Sequence, residues 1–255
     1  MSEQNQRIIG TKVDLDYQTT REFFSQRATR VDQVGLLSVT MYQDNHPELV
    51  KERNRTEKAK VIPRLELNKQ MKVLDIGCGT GRWGLDIIDQ VHSYLGVDFS
   101  SELIKIANRV MDEKKTATHY VFQTLAATEI GPDRLQIAPP FDLIIIAGLL
   151  LYLNDQDCSR LLAKLPGLCN SSATIYIREP VAVEQRLTLC NHYSEELAAT
   201  YNAIYRTEAE LQTEFSRRLL SGGFRLLWSD DLFPASLQNR SDTKQKIYLF
   251  NRGLI

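Results

Sequence analysis

The chain has 255 residues, 43% hydrophobic and 25% charged, values ordinary for a globular protein that exclude global disorder. Lysine and arginine number 31 against 32 aspartate and glutamate, a net charge of -1, so no basic nucleic-acid footprint covers the chain as a whole. A chain of this length makes one large domain, or one domain with a small cap.

The first six residues are polar and lack the apolar stretch of a secretory signal. Asp16 can cap a helix over 17–30, with Phe23, Phe24 and Val31 on or near one face. Pro47 suits the first position of a second helix over 47–66. That helix carries Lys51, Glu52, Arg53, Arg55, Glu57, Lys58 and Lys60. The plain reading is a solvated face with charge pairs one turn apart. The sharper one is that an arginine turns inward to an anionic ligand group. Residues 1–69 are thus expected to form an N-terminal helical cap, acting as a lid.

From residue 71 strands and helices alternate. Strands are predicted over 71–76, 94–98, 120–122, 142–146 and 173–177, with helices over 83–91, 101–111 and 156–165 between them. The fourth strand is apolar without interruption, as a sheet covered on both faces requires. Its apolar run, 143–153, is far short of the roughly 20 residues of a membrane span. The pattern implies a doubly wound, mainly parallel sheet. Residues 181–206 break the alternation and are read as a partly helical, aromatic-rich insertion over the acceptor site. A helix over 208–220 and strands over 225–229 and 245–250 follow, the last two pairing antiparallel because no helix separates them. The cysteines, at 78, 158, 169 and 190, form no C-x-x-C pair, which argues against a zinc knuckle or redox dithiol and suits a reducing cytoplasm.

The strongest local signal is Val73-Leu74-Asp75-Ile76-Gly77-Cys78-Gly79-Thr80-Gly81. A strand that runs into Gly-x-Gly-x-Gly and then a helix brings bare backbone against a ligand. A dinucleotide fingerprint needs a glycine at the sixth position, which here is Arg82, and no Gly-Lys-Ser/Thr follows to make a P-loop. Asp75 in front of the loop would repel a pyrophosphate and suits a cation. Asp98 ends the next strand 21 residues after Gly77, the spacing of an acid that takes ribose hydroxyls. Phe99 could lie against an adenine face. Read alone, Asp98-Phe99-Ser100 is also an ordinary helix cap.

This glycine loop, with Gly96-Val97-Asp98 and Phe141-Asp142-Leu143-Ile144-Ile145-Ile146, resembles the class I S-adenosylmethionine-dependent methyltransferases. The resemblance is strongest over 70–178, and Gly222-Gly223-Phe224 before two strands fits the family's C-terminal end. It implies a Rossmann-like seven-stranded sheet with the last strand antiparallel, spanning 70–255, and S-adenosylmethionine as cofactor, leaving S-adenosylhomocysteine as product. On that likeness Asp75 and Gly77 lie by the methionine portion, Cys78, Gly79 and Gly81 shape the loop, Asp98 holds the ribose diol, and Gly148 passes the sulfonium. The family's common acid after the third strand is absent; Leu125 stands there, so backbone near Leu125 and Ala126 takes over adenine recognition. Members with a similar Phe-Phe-x-x-Arg-Ala stretch place an N-terminal tyrosine or arginine on the cofactor carboxylate, which here means Tyr17 and Arg27, although both could simply pack.

The fourth-strand exit, Ala147-Gly148-Leu149-Leu150-Leu151-Tyr152, lacks the Asn/Asp-Pro-Pro-Tyr pattern and looks like small-molecule members. His192, with Tyr193 beside it, is the candidate base; a surface role is its alternative. Arg178 and Glu179 leave the fifth strand towards the acceptor, and Tyr205 and Arg206 open the next helix, Arg206 being either an acceptor contact or a surface charge. His92 and His119 read as structural or surface residues, and no metal site is expected. The expected activity is methyl transfer to oxygen or nitrogen of a small molecule, with no membrane and no nucleic acid as partner. A homodimer is left open. The alternatives are methylation of RNA or protein, and a non-catalytic cofactor-binding member.

Overall fold

The computed structural model describes residues 6–253. Strand β1 is Gln6–Ile9, followed by helices α1 (Tyr17–Thr29), α2 (Val31–Val34), α3 (Ser38–Met41) and α4 (Pro47–Val61). Asp16 caps α1 by accepting from the Gln18 backbone N–H, a bond worth about 1 kcal/mol. Pro47 stands at the start of α4, where its missing N–H costs nothing. The alternating region comprises β2 (Lys72–Ile76), α5 (Arg82–Ile87), β3 (Ser93–Asp98), α6 (Ser101–Lys114), β4 (His119–Thr124), β5 (Phe141–Ala147), α7 (Asp155–Leu168) and β6 (Cys169–Ala182). Strands β7 (Leu187–Ser194) and β8 (Ala199–Tyr205), helix α8 (Glu208–Phe215), β9 (Arg225–Asp231) and β10 (Thr243–Arg252) complete the chain.

Seven strands form one sheet in the order β4-β3-β2-β5-β6-β10-β9. Strand β10 runs antiparallel to both its neighbours, and the pairs from β4 across to β6 are parallel. The chain winds outward from β2 to β4 and returns on the other side of β2 at β5. The switch point therefore lies between the carboxyl ends of β2 and β5, where open α/β sheets bind ligands. Both faces are dry. Leu74, Ile76, Ile144 and Ile146 meet Leu161 and Leu165 of α7 and Leu211 and Phe215 of α8. On the other face Val73, Leu143 and Ile145 meet Val61 of α4, Trp83 and Ile87 of α5, and Ile104 and Met111 of α6. Each such side chain contributes about 1.5–3 kcal/mol by leaving water.

Two expectations change. Residues 181–206 are a β-hairpin, not a partly helical insertion: β7 and β8 pair with each other, and β1 adds to β7 in a separate three-stranded antiparallel sheet. The N-terminal cap is correspondingly not all helical. Inward-facing Leu187, Leu189, Tyr201 and Ala203 of the hairpin pack on Phe23 and Phe24 of α1, so cap and insertion share a single apolar cluster. Helix α4 lies instead against the main sheet. Among the described residues no helix is long and apolar enough to cross a membrane.

Candidate active site

The loop after β2 is pinned to its neighbour. Gly77 and Cys78 donate backbone N–H bonds to the Val97 carbonyl at 2.8 and 3.0 Å. Gly77, Gly79 and Gly81 all take positive φ (74°, 54° and 79°), a region where a Cβ is costly, so the turn needs these glycines. The Asp98 carboxylate closes the loop from β3, accepting from Gly79 N at 3.0 Å and from Ser100 N at 2.9 Å. A carboxylate offers about four acceptor positions, so room remains for a ligand. Burial raises its pKa to about 6, against the opposing pull of the Ser100, Gly79 and Phe99 backbone N–H groups. Asp75, also buried, is likewise pushed up to about 6 by desolvation while accepting the Tyr94 hydroxyl.

Asp75, Gly77, Cys78, Gly79 and Asp98 line one cleft at the switch point, together with Phe99, Leu125, Ala126 and Gly148, whereas Gly81 does not line it and backs onto Phe122 and Ala107. Phe99 is held by Phe24 edge-on at 5.7 Å and by the Arg21 guanidinium 5.5 Å from its ring centre. Leu125 N bonds the Asp98 carbonyl at 2.9 Å, which fixes the chain beside the aspartate. Tyr17 also lines the cleft, its hydroxyl donating to Asp157 at 2.7 Å and accepting from Asn154 N at 2.9 Å.

A second cavity adjoins the first and shares Thr40, Met41, Ala147, Gly148, Tyr152 and Arg178 with it. Four tyrosine hydroxyls run along it: Tyr42 bonds Tyr152, Tyr152 lies 3.5 Å from Tyr201, and Tyr201 lies 2.9 Å from Tyr205. His192 also lines this space, its pKa lowered by burial and by Arg7 and Arg240, so the ring is neutral at physiological pH. Arg178 spans both cavities. Its Nη1 donates to Gln245 at 3.2 Å, and its Nε lies 3.5 Å from the fully buried Glu57 carboxylate. Glu57 also receives Arg82 at 2.7 Å and the Tyr176 hydroxyl at 2.9 Å.

Several residues expected at the site sit elsewhere. Arg27 lies outside both cavities: it is 1% exposed, paired with Asp44 at 2.5 Å, and donates to the Ser38 and Val39 carbonyls, so its charge is spent on α3 and the turn that follows it. Arg206 is no surface charge and no acceptor contact; it is buried and donates to Asp155 and to the Leu150 and Leu153 carbonyls. Glu179 is buried as well, accepting the Leu149, Leu150 and Leu151 N–H groups, and it shapes the loop after β5 rather than touching a ligand. Tyr193 is 52% exposed, on the opposite side of β7 from His192, as alternation demands. His46, His92 and His119 are exposed, and no group of three or more His, Cys, Asp or Glu that could hold a metal occurs among the described residues.

Other lining residues escaped the sequence reading. Tyr152 had a signal, five residues beyond the end of β5 in the strand-exit run. Arg53 had one too, as a member of the charge-rich helix from which an inward arginine was envisaged. Arg21, Tyr42, Tyr201 and Arg240 had none, because segments distant in sequence bring them together.

Comparison with known proteins agrees with this geometry. A family described as a methyltransferase domain matches residues 67–240. Phosphoethanolamine N-methyltransferase 3 of Arabidopsis thaliana is 25% identical over 181 residues, 71% of this chain and 34% of that protein. The chain spans about a third of the length of the curated relatives it matches. Among solved structures, magnesium protoporphyrin IX methyltransferase from Synechocystis PCC 6803 with bound S-adenosylmethionine superposes with a TM-score of 0.63 at 16% identity, covering 95% of this chain and 100% of that one. Phosphoethanolamine N-methyltransferase 1 of Haemonchus contortus gives 0.65 at 16% identity, over 93% of this chain and 50% of that one. The chain belongs to the methyltransferase-domain family and has the class I, S-adenosylmethionine-dependent methyltransferase fold.

Proposed function

We propose that this chain transfers a methyl group from S-adenosylmethionine to oxygen or nitrogen of a small molecule. The observation that carries the reading is the shared wall: the glycine-loop cleft and the tyrosine-lined cavity meet at Gly148, Tyr152 and Arg178. The first cleft suits a cationic nucleoside, with two buried carboxylates, a bare backbone turn and an aromatic ring. Asp98 has acceptor positions free for a ribose diol, Asp75 can accept from an ammonium, and Phe99 offers a face to a base. S-adenosylmethionine, when bound, supplies a methyl group activated by attachment to a positively charged sulfur.

The chain contributes alignment and exclusion of water. Gly148, whose φ is 80°, lets the strand exit pass without a side chain between the two spaces. Neutral His192 is the residue able to take a proton from a hydroxyl acceptor; an amine acceptor needs only to arrive deprotonated. Incubation with methyl-labelled cofactor and pools of small molecules tests the proposal. Label in a low-molecular-weight product supports it, and label only in RNA or protein overturns the small-molecule assignment.

A further inference from the structure

The second cavity has a lopsided charge. Arg53, Arg178, Arg240 and Lys244 line it against one lining carboxylate, Glu196. Two of the four cations are answered elsewhere: Lys244 by Asp231 at 3.2 Å and Arg178 by Glu57 at 3.5 Å. Arg53 and Arg240 reach no carboxylate within ion-pair distance among the described residues. Arg53 is half-buried, donating to the Leu237 carbonyl and to Asn239 at 2.8 Å, with its guanidinium 5.4 Å from the centre of the Phe233 ring. Arg240 sits at the exposed rim near Tyr205 and feels Asp242, itself paired with Arg7 at 2.6 Å, and Glu196 at longer range, as Arg53 feels Glu196. The two guanidiniums are close enough to repel one another. Like charges gathered in a cavity cost free energy unless a counter-charge joins them, and the planar guanidinium fork matches an oxyanion. Both arginines line only the second cavity, whereas Gly148, Tyr152 and Arg178 line both, so the cations stand at the end remote from the cofactor cleft.

We propose that this cavity selects a methyl acceptor bearing an oxyanion, a phosphate monoester or a carboxylate, seated between Arg53 and Arg240 with its reactive atom towards Gly148 and Tyr152. The inference rests on the methyl-transfer reading above and names the substrate class of that site. The charge-rich face of α4 thus has one member turned to a ligand, while Arg55 pairs with Glu52 in solvent.

The test is calorimetric titration of the protein loaded with S-adenosylhomocysteine, using inorganic phosphate and acetate as separate probes and tetramethylammonium as the cationic control. The expected result is saturable binding of at least one anion and none of the cation, the better anion telling phosphate from carboxylate. Arg53→Met and Arg240→Met should each weaken that anion about tenfold or more while changing affinity for S-adenosylhomocysteine less than about twofold. Unchanged cofactor-product affinity also shows that the variants are folded. If S-adenosylhomocysteine binds but neither anion does, or if both variants bind the anion like the wild type, the acceptor proposal fails and methyl transfer stands. If S-adenosylhomocysteine itself does not bind, the methyl-transfer reading fails first.

Discussion

A Cβ added to Gly148 would come within 2.9 Å of Arg178 Nη1, and the Gly148 N–H already donates to the Arg178 carbonyl at 2.7 Å. The residue that must lack a side chain and the arginine that bridges both cavities are thus locked together at the junction. Gly148→Ala faces both this clash and a positive φ of 80°. We predict that it lowers turnover at least about tenfold while weakening S-adenosylhomocysteine binding much less, because the junction and not the nucleoside cleft is disturbed. Steady-state kinetics beside calorimetry check this; wild-type turnover would remove the junction from the reaction.

Asp98→Ala should weaken S-adenosylhomocysteine about ten- to a hundredfold, the scale of losing charge-assisted hydrogen bonds. The pH dependence has a definite sign. With Asp98 and Asp75 both held up at about 6, each is ionised and able to accept at neutral pH and protonates as the pH falls through that value. Affinity should therefore be level at neutral pH and drop on acidification. Asp98→Asn should lose its own share of that drop and retain the share of Asp75. An acid profile identical in wild type and variant would exclude Asp98 as the titrating acceptor.

Glu57 gives a stability prediction. Burial would raise its pKa, but Arg82 and Arg178 overcome this and hold it at about 2, against an ordinary 4.5. A depressed acid stabilises the fold above its unfolded pKa and loses that contribution as pH falls, here from about 4.5 towards about 2, a total near 3 kcal/mol. Glu57→Gln leaves two buried guanidiniums without their anion and should cost about 3–5 kcal/mol at neutral pH. Chemical denaturation across pH checks both statements. A Glu57→Gln protein as stable as wild type at pH 7 would refute the pairing.

His192→Gln should slow turnover on a hydroxyl acceptor and leave S-adenosylhomocysteine affinity unchanged. Because burial and the nearby Arg7 and Arg240 lower the His192 pKa, the acid limb of the wild-type rate profile should lie below the usual histidine range. Full activity of the variant at every pH would dismiss it as the base.

The legible parts of this protein are those written locally. Strand, glycine turn and helix over 71–91 are contiguous, and the apolar run at Leu143, Ile144, Ile145 and Ile146 needs no partner to announce a buried strand. The doubly wound sheet and the Asp75, Gly77 and Asp98 cleft could be read from these. The hairpin of β7 and β8 is not legible locally, because one strand partner, β1, comes from the far end of the chain. Glu179 and Arg206 read as site residues because a charge near a strand end usually faces a ligand, and Arg27 because its Phe-Phe-x-x-Arg-Ala setting resembles family members that put it on the cofactor. Here peptide carbonyls and N–H groups of distant turns consume those charges, and no residue type records such a partner. The second cavity draws on α4, the hairpin and the segment before β10, which only the folded chain juxtaposes.

The central claim is that the turn over Gly77, Gly79 and Gly81, closed by Asp98, cradles S-adenosylmethionine, and calorimetric titration of the protein with S-adenosylhomocysteine reaches it most directly. One-to-one saturable binding in the wild type, weakened by Asp98→Ala in a variant that still unfolds cooperatively, is the expected result. Absence of binding to the folded wild-type protein, or equal binding to both proteins, would contradict it.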